Sequence, residues 1–308
     1  RYLYHLICAS ISELEGSDFH RHHTSILKNL FDGYNFTNLE QYWGYFTDSL
    51  FNLDCNISII SEELLWELGK FKAEREFKLA MIQMLADALH QFVNPEEITI
   101  VVALRHHAEW LESWHNQMVK DQGNQTKIKP FLERELEWGS LNYAKNLNDW
   151  LKIFPNANFK VIDFRGALVT PRPIGITFLQ EAGLLDCLKL QSIVNFIYPS
   201  PLQESIHPLL HAYLIRNKPP LDSLNQYNLR LKKANKIVGL LVKLNDLDRS
   251  YTLINSTILK ICTDIYENDS LENFGIQELK SSFAKKVQVP RILPKVITEP
   301  LDDVFANP

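Results

Sequence analysis

The pattern of the chain predicts an α/β fold, a parallel sheet flanked by helices. Three observations carry this. Short β-branched, almost wholly apolar runs recur along the sequence, and helical stretches of ten or more residues separate them. Polar residues sit directly after the strand-like runs, where ligands bind in parallel sheets. The 308 residues are 45% apolar and 22% charged, an ordinary globular mixture with enough apolar surface for a core.

The first element is Ile57-Ser58-Ile59-Ile60, a short strand ending in Ser61-Glu62-Glu63. Leu64, Leu68, Phe71, Leu79, Ile82, Leu85, Leu89 and Phe92 then fall near helical spacing, so Glu63–Phe92 reads as helix, stopped by Asn94-Pro95. Ile98–Leu104 (ITIVVAL) is the clearest strand, apolar as a strand covered on both faces should be. Arg105 follows it. Ala108, Leu111, Trp114 and Met118 mark the face of the next helix, which ends at Gly123.

Asp121–Lys129 reads as a loop. Ser140 is the expected cap of a helix carrying Leu147, Trp150, Leu151 and Phe154. Phe159–Phe164 is a third strand, and Ile174–Ala182 a short helix closed by Gly183. From about Ser205 to Asn268 the pattern is helical, broken at Pro219-Pro220. The organisation expected is one α/β domain over 1–285, helical from about 205, and an extended proline-punctuated tail over 286–308.

Composition narrows the function. The formal net charge is -5, against a strongly basic nucleic-acid binder. No apolar run reaches the roughly 18 residues a membrane span needs. Cys8, Cys55, Cys187 and Cys262 form no CxxC pair, which points to reduced thiols in a cytoplasmic protein rather than to zinc.

The residues that could carry chemistry gather at strand ends. Arg105 could grip a phosphate through two parallel hydrogen bonds, and Ser113, eight residues on, could donate another. The structural alternative is a surface arginine paired with Glu109 or Glu112. Glu62 could act as a general base, or serve only as a carboxylate favourable to a helix N-terminus. His20, His22 and His23 form a cluster near the start, either solvated or lining a pocket. Trp110 and Trp114 share a helix face and read as core. Lys285-Lys286 reads as charged surface. No metal set stands at ligand spacing.

ITIVVALRHHAEWLESWHNQ resembles the P-loop sulfotransferase family, in which a strand delivers an arginine and the next helix a serine eight residues later. Asn116-Gln117 is similar to a recurring element of the bacterial, carbohydrate-type members. So are IISEELL (Ile59–Leu65), LNYAKNLNDWLKIFPNANFKVIDFRGAL (Leu141–Leu168) and ITFLQEAGL (Ile176–Leu184). The resemblance covers roughly residues 20–190. It implies transfer of a sulfuryl group from 3′-phosphoadenosine 5′-phosphosulfate (PAPS) to a hydroxyl acceptor, a carbohydrate, without a metal. It implies that Arg105 and Ser113 bind the 3′-phosphate, and that Glu62, or His23 or His22 in its place, lies at the acceptor.

One departure stands out: no Gly-rich phosphate loop with its Lys occurs in the chain. In the family it would precede the His20–His23 region. The chain starts at Arg1 rather than Met, and the expectation is a piece whose loop lies upstream. The rival is a non-catalytic binding or assembly protein with the same fold. A weaker third reading, another P-loop transferase such as a small-molecule kinase, would need a Mg²⁺-holding Asp at a strand end, for which Asp163 is the candidate.

Overall fold

The structure is a computed structural model. It describes residues 75–123, 125–165, 174–183, 206–219, 223–245, 247, 250–279 and 281–306. The first strand, the histidine cluster and Glu62 lie outside these. Within them the protein is mixed α/β and mostly helical, with two small two-stranded sheets.

The chain forms two compact units. The first comprises Arg1–Val102, Asn142–Ile162 and Thr170–Pro201; the second comprises Ala103–Leu141, Asp163–Val169 and Leu202–Pro308. In the first unit, α1 (Arg75–His90) buries Ile82, Leu85, Ala86 and Leu89. Of the expected stripe, Ile82, Leu85 and Leu89 are buried as predicted, Phe92 lies past the helix end and is exposed, and Leu64, Leu68 and Phe71 lie outside the described residues. Strand β1 (Thr99–Leu104) pairs with β2 (Asn158–Asp163), and Asn158 N donates to Ile98 O at 2.8 Å. Both strands stand close to where their β-branched composition predicts.

Helix α2 (His107–Gln122) follows and ends at Gly123, whose φ of 61° is the left-handed conformation that glycine adopts without a Cβ penalty. Helix α3 (Ile128–Glu137) falls partly where a loop is expected. The polar stretch Asp121–Lys129 suggested the loop; Pro130 occupies the first turn of the helix, where its missing N–H costs no helical hydrogen bond. Phe131 and Leu132 anchor the helix in the core. Helix α4 (Tyr143–Ile153) is capped by Asn142, whose Oδ1 accepts from Lys145 N at 3.0 Å, and not by Ser140. Helix α5 (Ile174–Glu181) is followed by Gly183 at φ 72°.

The rest of the second unit is helical: α6 (Pro208–Asn217), α7 (Leu224–Leu244), α8 (Ser256–Asn268) and α9 (Lys295–Ala306). Two-residue strands β3 (Tyr251–Thr252) and β4 (Val287–Gln288) pair in parallel. The expected extended tail is corrected by α9. Its Ile297, Leu301, Val304 and Phe305 repeat at helical spacing and join one core with Leu209, Leu210, Leu214, Val238 and Val242. A second core gathers Ala108, Leu111, Phe131, Leu132, Leu141, Ile258 and Cys262 between α2, α3 and α8.

Candidate functional site

Arg105 leaves the end of β1 and stands two residues before the first residue of α2. Ser113 stands in the second turn of α2, and the long Arg105 side chain, attached just before the helix cap His106, reaches it. The structure joins them: Arg105 Nη1 donates to Ser113 Oγ at 2.9 Å. The guanidinium carbon lies 3.9 Å from the centroid of the Phe164 ring. That stacking uses the guanidinium face and fixes its plane. An arginine has five N–H donors in that plane, and Ser113 accepts one of them while its own hydroxyl proton remains able to donate.

The two carboxylates weighed as partners of a surface Arg105 make other contacts. Glu109 Oε1 accepts from Ser282 N and Ser282 Oγ, both at 2.7 Å. Glu112 Oε1 accepts from Thr252 Oγ1 at 2.5 Å and from Leu253 N at 2.8 Å, and its Oε2 pairs with Lys286 Nζ at 2.7 Å. Lys286 also stands over the Phe283 ring, 4.3 Å from its centroid. Lys286 is thus a partly buried tether for helix α2, not the solvated charge its sequence suggested.

The two histidines after Arg105 turn inward. His106 Nδ1 caps α2 by accepting from Ala108 N at 3.3 Å. Burial, with His107 beside it, holds the His106 pKa below the usual histidine value, and Glu109 opposes the shift. His107 is fully buried; its Nε2 lies 2.9 Å from Leu141 O and 3.4 Å from Asp269 Oδ2. Tyr266 lies against both rings. Trp110 and Trp114 stack with centroids 6.5 Å apart and pack on the second core, as their spacing predicts. Trp114 Nε1 donates to the buried Glu135 at 3.2 Å.

Asn116 points into the core of its unit, where Nδ2 donates to Ile206 O at 3.2 Å. Asp163 Oδ1 accepts from Arg165 N at 3.0 Å, so that carboxylate makes a local turn at the end of β2. Among the described residues no group of three metal-ligating side chains forms. Glu62, His22 and His23 lie outside the described residues.

A buried histidine pair was not singled out from sequence. His115 and His211 lie 4.8 Å apart by ring centroids, both essentially unexposed. His115 Nε2 is 2.7 Å from Thr126 O, which makes it the protonated nitrogen. Burial lowers both pKa values, that of His211 strongly. No spacing signal links residues 96 positions apart.

Comparisons with family models, curated proteins and solved structures returned no match.

Proposed function

We propose that the corner between β1 and α2 is a phosphate-binding site and that the chain is a sulfotransferase of the P-loop type, using PAPS and a hydroxyl acceptor, a carbohydrate by the resemblance. The observation that carries the reading is the Arg105–Ser113 hydrogen bond of 2.9 Å at the carboxyl end of a strand. It puts a fixed cation beside a hydroxyl that can still donate, a pairing suited to a phosphate dianion.

In this reading Arg105 and Ser113 hold the 3′-phosphate and orient the donor. The acceptor oxygen attacks sulfur, a new S–O bond forms, and the bond from sulfur to the 5′-phosphate oxygen breaks. Adenosine 3′,5′-bisphosphate leaves. The acceptor proton passes to Glu62, with His23 as the rival, both named from sequence alone. Positioning and charge neutralisation would supply most of the rate, as in phosphoryl transfer.

The test is a comparison of ligands that differ by one group. The chain should bind adenosine 3′,5′-bisphosphate more tightly than adenosine 5′-monophosphate by calorimetry. Equal affinities would remove the 3′-phosphate site, and the non-catalytic reading would take its place.

A further inference from the structure

Helix α7 carries five basic residues (Arg230, Lys232, Lys233, Lys236 and Lys243) and no Asp or Glu over its 21 residues, in a chain of net charge -5. One face is committed: Tyr227, Leu231, Ala234, Val238 and Val242 are buried in the core of the second unit. The opposite face holds Leu229, Leu240 and Leu244, which are 68%, 62% and 80% exposed. At 100° per residue they fall with Gln226 and the four lysines within a single arc of about 120°. Over the 15 residue steps from Leu229 to Leu244 that surface runs about 22 Å. None of the four lysines has an ion-pair partner among the described residues.

We infer that this face docks on an anionic lipid surface, with the three leucines entering the headgroup boundary and the lysines pairing with lipid phosphates and carboxylates. Three features favour lipid over a protein partner. The cations on the face are all lysine, the residue depleted from protein–protein interfaces, where Arg and aromatic anchors gather. No aromatic residue stands on it. It combines the two signals that reversible membrane attachment needs, apolar insertion and a basic patch, without either being strong alone. Because the core packing uses the other face, docking requires no unfolding. The helix would lie on the bilayer and not cross it, in line with the lack, among the described residues, of any helix long and apolar enough to span one.

The experiment is co-sedimentation of the full chain with vesicles of phosphatidylcholine alone, or with about a third phosphatidylserine, at 0.1 M and 0.5 M salt. The expected result is binding to the anionic vesicles that weakens with salt, and at least tenfold weaker binding to the neutral ones. Neutralising two lysines, Lys236→Gln with Lys243→Gln, should lower partitioning about thirtyfold, from the usual contribution of each basic residue near an anionic surface. Leu240→Ser with Leu244→Ser should lower it at least tenfold while leaving circular dichroism and Tm unchanged, because both positions are exposed. Three results would overturn the inference. One is a folded wild type that ignores anionic vesicles or binds both kinds equally. Another is self-association abolished by the leucine pair, which would assign the face to a second copy. The last is binding to poly-L-glutamate without vesicle binding, which would assign it to an acidic polypeptide.

Discussion

Arg105 illustrates how much one residue can reveal. Its position after an apolar strand, and the serine eight residues on, were legible in sequence, and the structure joins the two by a hydrogen bond. The Phe164 ring beneath the guanidinium was not legible, because residues 59 apart meet only through the fold. The same limit hid His115 and His211. Each reads as a lone histidine on a helix, and only packing brings the rings together. Their titration makes a prediction. Both, with His106, have pKa values depressed in the folded state, so the folded protein stays neutral there while the unfolded chain takes up protons. Stability is therefore complete above the unfolded histidine pKa of about 6.5 and falls as pH drops below it, by about 1.4 kcal/mol per pH unit for each group that stays neutral. The loss stops below the folded pKa values. Urea unfolding at pH 7.5 and pH 5 checks this. His211→Phe should flatten the dependence, and an unchanged slope would show that His211 is not involved.

At the level of elements, the strongest sequence signals were the ones packing had no reason to override. Strand β1 and helix α2 have apolar runs or stripes that agree with their local propensity, and Gly123 closes the helix as expected. Prolines marked the break between α6 and α7 as expected, but in the tail the proline-based reading went astray. Pro300 sits inside α9, where it removes a ladder hydrogen bond and crowds the preceding turn. The helix forms nonetheless because Ile297 and Leu301 are fully buried. Tertiary burial outweighs a local penalty of about 3 kcal/mol. Two outcomes follow. Pro300→Ala should stabilise the protein by about 1–3 kcal/mol, whereas Leu301→Ala should destabilise it by about 2–5 kcal/mol, as core truncations do. Chemical denaturation of the two variants gives both numbers. Opposite signs are essential: if Leu301→Ala is neutral, α9 is not part of the core.

For the whole molecule, the second unit unites distant parts of the chain. Residues near 110, 130, 260 and 283 share one core, and residues near 210, 240 and 300 another. Hydrophobic periodicity identifies each helix and its buried stripe, but not which stripes meet, so the division of the chain was invisible in sequence. Cys262 reports on this unit. It is fully buried among Ala108, Leu111 and Ile258, and burial pushes its thiol up to about 12. It should resist alkylation at pH 8 in the native protein and react once the unit unfolds, as peptide mapping by mass spectrometry would show. Fast labelling under native conditions would mean that the core opens locally.

The central claim is that Arg105 and Ser113 together read a phosphate. Titrating adenosine 3′,5′-bisphosphate and adenosine 5′-monophosphate into the wild type, Arg105→Ala, Ser113→Ala and the double variant tests it most directly. The account predicts that Arg105→Ala costs about 2–3 kcal/mol of bisphosphate binding and nothing for the monophosphate. The double variant should lose less than the sum of the singles, since the two residues are hydrogen-bonded to each other. Bisphosphate affinity unchanged by Arg105→Ala, in a protein that remains folded, would contradict it.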